Sequence, residues 1–199
     1  MSKIKKSYFC SNFEIMEKKK KSLLNKITPD EALEILTRLA KKNPRILKDI
    51  EKEAEQLLKK IDFQEIVDEV YAVLNGLDVE ELWERSGSHR DGYSSPEDQA
   101  VEMMEEALEP YNEEVIRYLD LGMHKEAEIY CMGVLKGIYR YDQESKSDST
   151  NWFVDIPAEC SGYLLDVWKQ KTTDRCDLEE MDHFIKTECG RWSDWALRK

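Results

Sequence analysis

An all-α fold is what this sequence predicts, and three observations predict it. Helix-forming Glu, Lys, Leu and Ala dominate, while only 8 Gly and 5 Pro are spread over 199 residues, few turn formers for a β protein of this length. Three segments open with one type of helix-start signal. Apolar residues recur at spacings of three and four, and strand-like alternation is essentially missing.

The starts come first. KITPDEAL sets Thr28 before Pro29, with Glu31 three residues after the threonine, a capping box with proline at the first helical position. KKNPRIL repeats the logic with Asn43 and Pro44, and YSSPEDQA repeats it with Ser95, Pro96 and Asp98. The stripes agree. Ala32, Leu36, Leu39 and Ala40 share one face, and Leu47, Ile50, Ala54, Leu57 and Leu58 share another. Ile66, Val70, Val73 and Leu74 make a third, ending at Asn75-Gly76, and a short helix over Val79–Glu84 carries Leu82 and Trp83.

SGSHRDGYSS, residues 86–95, reads as a loop and as the best internal boundary. Beyond it, Val101, Met104, Ala107 and Leu108 form a stripe that is expected to break at Pro110, and Val115, Ile116 and Leu119 form the next. Gly122 fits a left-handed helix C-cap. The helix after it is strongly apolar, and Gly133 and Gly137 lie four apart on it. Interior glycine costs about 1 kcal/mol relative to alanine, so the pair predicts a closely approaching neighbour helix. DQESKSDST is a second polar loop, NWFVDIP an extended lead to Pro157, and Ala158–Lys171 a helix. Leu178, Met181, Phe184 and Ile185 give one more, and Trp192 and Trp195 suit a short terminal helix. The expected total is about nine or ten helices, stacked as antiparallel hairpins into a helical-repeat array of TPR or HEAT type.

Charge divides the chain. Residues 1–26 hold eight Lys against two Glu, a net +6, which leaves −18 for the remainder of a chain totalling −12. A chain this acidic has no general attraction for phosphate backbones or anionic membranes. Nucleic acid is therefore expected to engage it only through the basic segment 1–26, which is otherwise a flexible, solvated terminus. Residues 27–199 read as a single α-helical domain. No apolar run approaches the ~20 residues of a membrane helix, and the N-terminus lacks the apolar core of a signal peptide. Five cysteines, widely spaced and without a CxxC pair, argue against a disulfide framework and a four-cysteine zinc site. Reduced thiols in a cytoplasmic protein are the expectation.

YLDLGMHKEAEIYCM poses the main chemical question. On a helix, His124, Glu128 and Cys131 would share roughly one face, the minimal condition for joint metal coordination. Against this, His124 falls at the very start of the helix and Cys131 inside its apolar stripe, where free cysteine behaves as a small hydrophobe. Cys176, Glu180 and His183 repeat the trio in reverse. A helical turn between packed helices explains more of these residues, so no metal or cofactor is expected. A metal-dependent enzyme in a helical bundle, using His124, Glu128 and Cys131 and drawing on His183, is the alternative. Calcium, nucleotide-binding and nucleophile-elbow motifs are missing. Acid pairs such as Glu105–Glu106 and Glu179–Glu180 read as surface. Trp152, Phe153, Tyr163 and Trp168 cluster in sequence, and are either interface anchors or the filling of the terminal core.

TPDEALEILTRLAKKNPRILKDI resembles the segment downstream of the zinc finger in prokaryotic SWIM zinc-finger proteins. EEVIRYLDLGMHKEAEIYCMGVLKGI resembles the helical hairpin of the same proteins, itself similar to tetratricopeptide repeats. The likeness spans Ile27 to Trp168. The C-x-C and C-x-H pairs of the finger are missing, so its zinc and DNA-binding roles do not carry over. What the resemblance implies is a helical-repeat interaction module. The functional expectation is a non-enzymatic scaffold that binds another protein or peptide, with basic or amphipathic helical partners favoured by its acidity.

Overall fold

A computed structural model of the chain describes residues 25–89, 92–145 and 152–196. The basic segment 1–26 therefore lies almost wholly outside the described residues, as does most of the polar loop 142–150. The fold is all-α, and the described chain divides into two compact units that meet in sequence at Leu58 and Lys59.

The first unit is a helical hairpin, α1 (Pro29–Lys42) and α2 (Pro44–Leu58), packed on each other across the single residue Asn43. The capping box forms as the sequence requires. Thr28 N donates to Glu31 Oε2 at 2.8 Å, and Glu31 N donates to Thr28 Oγ1 at 3.3 Å. Asn43 Oδ1 accepts from Arg45 N at 3.0 Å, opening α2. Neither helix contains a buried residue. The sequence suggested one domain over 27–199, whereas the hairpin is compact by itself and has no enclosed core.

The second unit holds α3 (Phe63–Asn75), α4 (Val79–Arg85), α5 (Pro96–Asp120), α6 (His124–Glu144), α7 (Ile156–Lys171), α8 (Arg175–Glu188), a 3-10 turn at Gly190–Trp192 and the four-residue α9 (Ser193–Ala196). Its organising element is α6, against which α3, α5, α7 and α8 all pack. Burial follows: Ala127, Cys131, Val134, Leu135, Ile138 and Tyr141 are all enclosed. No helix among the described residues is long and apolar enough to cross a membrane.

The two glycines of α6 mark the closest approach. A Cβ on Gly133 would lie 3.0 Å from Ile66 Cγ2, and one on Gly137 would lie 2.6 Å from Val70 Cβ and 3.0 Å from the Val67 carbonyl oxygen. Any side chain at Gly137 would therefore displace α3 backbone. Gly122 closes the α5–α6 hairpin with φ 72°, in the left-handed region. Gly122 N donates to Leu119 O at 3.0 Å and Met123 N to Tyr118 O at 2.9 Å, the paired bonds of a Schellman end.

Three local expectations are corrected. The helix does not break at Pro110. It runs through as one 25-residue element. Proline removes one backbone donor and leaves the Glu106 carbonyl without it. Both residues are exposed, so water satisfies that oxygen and the helix continues. The loop 86–95 contains a small antiparallel pair, β1 (Gly87–His89) and β2 (Gly92–Ser94), in the register Gly87↔Ser94. Gly87 and Gly92 supply positive φ of 109° and 142° there. The segment before Pro157 is a series of bends rather than an extended strand, and α7 already begins at Ile156.

Candidate functional site

The site emerges from the outer face of α5. Ser95 caps this helix, its Oγ accepting from Asp98 N at 3.1 Å, and Pro96 follows in the first turn. One face then turns inward through Ala100, Met103, Met104, Leu108, Val115 and Leu119. The opposite side carries Glu102, Glu105, Glu106, Glu109 and Glu113, which at three- and four-residue spacing form a continuous stripe of carboxylates. Helix α7 packs alongside and contributes Ile156, Glu159, Cys160 and Tyr163.

Between the two helices runs a groove of about 620 Å³. Val101, Leu108, Ile116 and Ile156 give it an apolar lining, and the five glutamates of α5 with Glu159 give it an acidic rim. Arg85 pairs with Glu106 at 2.8 Å, and its guanidinium is also held by Glu81 at 2.7 Å. Among the described residues, Glu105, Glu109, Glu113 and Glu159 have no Lys or Arg partner. Asn112 belongs to the wall, and its Oδ1 is buried without a donor among the described residues. Tyr163 stands at the margin with 62% of its surface exposed. The groove therefore offers apolar contact at its base and negative charge along its edges.

Cys160 also lies in this groove. Burial, and then the charges of Glu105 and Glu159, push its thiol up to about 12, so it stays protonated at neutral pH.

The trio His124, Glu128 and Cys131 does not assemble a ligand set. His124 is exposed at the first turn of α6, whereas Glu128 and Cys131 are fully buried. Glu128 Oε2 is 2.7 Å from Lys125 Nζ, and the same ammonium is 2.7 Å from Glu180 Oε2 on α8. The two mirrored trios thus meet through one lysine that pairs with both carboxylates. Burial raises the Glu128 carboxyl despite the opposing pull of Lys125, and Glu128 Oε1 has no partner among the described residues. Burial, followed by the charge of Glu128, also pushes the Cys131 thiol well above its ordinary value. His183, on α8, is exposed. Among the described residues, no group of three or more His, Cys, Asp and Glu could hold a metal ion.

The aromatic cluster divides in two. Phe153 and Trp168 are 1% and 0% exposed and fill the core. Trp152 stacks edge-on against Trp83, with ring centroids 5.0 Å apart, and Tyr163 reaches the groove. Sequence reasoning assigned Glu105 and Glu106 to surface and did not find the groove. The stripes of the sequence include Val101 and Ile116, and the structure leaves both half-buried at the edge of the core, where they line the groove.

No protein-family model matches the chain, and no curated protein or solved structure matches it. The class defined by the fold and the groove is an all-α protein with an acid-rimmed, apolar-based channel between two long helices.

Proposed function

We propose that this chain is a non-enzymatic interaction scaffold, acting in the cytoplasm, whose α5–α7 groove receives a Lys/Arg-rich amphipathic segment of a partner protein. The observation that carries the reading is the pairing of an apolar base with a rim of glutamates, four of which have no Lys or Arg partner among the described residues. An amphipathic helix or extended peptide would place aliphatic side chains on Val101, Leu108, Ile116 and Ile156, and its ammonium or guanidinium groups against the rim. Complementary charge would speed encounter and fix register more than it would add affinity. Tyr163 would close over the bound segment as an aromatic anchor.

The resemblance to the helical region of prokaryotic SWIM zinc-finger proteins supports the same reading, since that region serves there as an interaction module. In this proposal the repeat-like units are the hairpins α1–α2 and α5–α6, the second closed at Gly122.

A photoreactive phenylalanine analogue in place of Tyr163 tests the proposal in cell extract. The expected result is crosslinking to a segment that sequences as Lys/Arg-rich and amphipathic. Crosslinking to acidic or uniformly polar segments would contradict it.

A further inference from the structure

The α1–α2 hairpin exposes an apolar surface that its own two helices do not cover. Leu33, Ile35, Leu36, Leu39, Leu47 and Leu57 are 40–68% exposed, and no residue of either helix is buried. The apolar arc of α1 spans roughly 160° at ~100° per residue, wider than one neighbouring helix uses. Charge says what fits there. Residues 38–49, at the turn, carry five cations and one acid, a net +4, while residues 26–37 and 50–60, toward the open end, carry six acids and four cations, a net −2. Each hairpin is therefore positive at its tip and negative at its open end. A second copy laid antiparallel sets tip against open end at both places, whereas a parallel copy sets like charges together. The helices match in length, 14 and 15 residues, so two hairpins align end to end without overhang.

We propose that the α1–α2 hairpin is a self-association element, pairing with the same hairpin of a second chain as an antiparallel four-helix bundle. The contact is isologous, with the aliphatic faces inside and the opposite poles apposed. It shares no residue with the α5–α7 groove.

Sedimentation equilibrium of the full chain tests this, read over protein concentrations from about 1 to about 100 µM because assembly is linked to concentration. The wild type is expected to be a dimer that dissociates on dilution. Leu33→Glu should give a monomer with unchanged helical circular dichroism, because Leu33 is not buried within the hairpin. Lys41→Glu with Lys42→Glu places acid against acid and should weaken the dimer at least tenfold. Adding Asp30→Lys and Glu55→Lys, the acids near the open end that antiparallel pairing sets against this tip, should restore it. A wild type that is monomeric throughout overturns the proposal. So does Leu33→Glu melting the helices instead of separating the copies, since residues 1–24 or the rest of the chain would then be covering this face. Failure of the paired charge reversal to restore the dimer also overturns it.

Discussion

The Cβ of Val70 lies 2.6 Å from the point where a Cβ on Gly137 would sit, so α3 and α6 meet with no room for a side chain between them. Helix interiors do not favour glycine, and this contact accounts for one here. Gly137→Ala gains about 1 kcal/mol of helix propensity but forces an overpacked contact costing about 1–3 kcal/mol. The expected outcome is a lower urea midpoint. Val70→Gly in the same chain removes the opposing Cβ, so the double variant should lose less than the sum of the two single losses, and strict additivity would show that the two positions are not in contact.

Lys125 bridges α6 and α8, and its removal should cost more than an ordinary surface pair. Lys125→Met leaves the buried Glu128 carboxylate without its cation, an expected loss of about 1–3 kcal/mol. Combining it with Glu128→Gln should return most of that loss, because the buried charge is gone as well. Thermal unfolding of the two variants is the check.

The same carboxyl sets a pH dependence. Burial raises the folded value of Glu128 above the unfolded one, so the folded chain binds this proton more tightly. Its contribution to stability therefore falls as pH rises from the ordinary glutamate range through the raised value. Glu128→Gln should flatten that part of the stability profile, read by denaturant titration at stepped pH. An unaltered slope would remove Glu128 as its source.

Gly122 holds φ at 72°, where a Cβ is strained though nothing lies within 4 Å to clash with it. Gly122→Ala should cost about 1 kcal/mol and Gly122→Asn less, because asparagine tolerates the left-handed region. Equal melting temperatures for the two variants would contradict the strained turn.

Thiol chemistry should follow burial. Cys176 is exposed, Cys131 and Cys189 are enclosed, and burial pushes the Cys160 and Cys189 thiols up to about 12. Under native conditions iodoacetamide should modify Cys176 well before Cys131 and Cys189, and Cys160 only as pH becomes strongly alkaline. Rapid labelling of Cys160 at neutral pH, read by peptide mapping, would contradict its burial in the groove.

Much of this architecture is legible in the residues themselves. Thr28, Asn43 and Ser95 announce their helices because capping is local chemistry, confined to four consecutive residues. Gly133 and Gly137 announce a neighbour, though not which one, since the pairing of α6 with α3 joins segments some seventy residues apart. Pro110 misleads because its cost depends on whether the freed carbonyl meets water, and that is a tertiary fact. The groove is harder still. Glu102 to Glu113 look like any solvated stripe until α7 is laid beside them and Ile156 completes the base. His124, Glu128 and Cys131 share a spacing, but their fates are set by depth, which spacing does not encode.

The central claim is that the α5–α7 groove binds a basic amphipathic segment, and peptide titration tests it most directly. A helical peptide of alternating Lys and Leu faces, carrying a fluorophore, should bind the full chain saturably, and more weakly as salt screens the rim. The chain with Glu105→Lys and Glu109→Lys should bind it at least tenfold less tightly, and the peptide with Glu in place of Lys should not bind the wild type. Equal binding by wild type and variant, or no binding by either, would contradict the account.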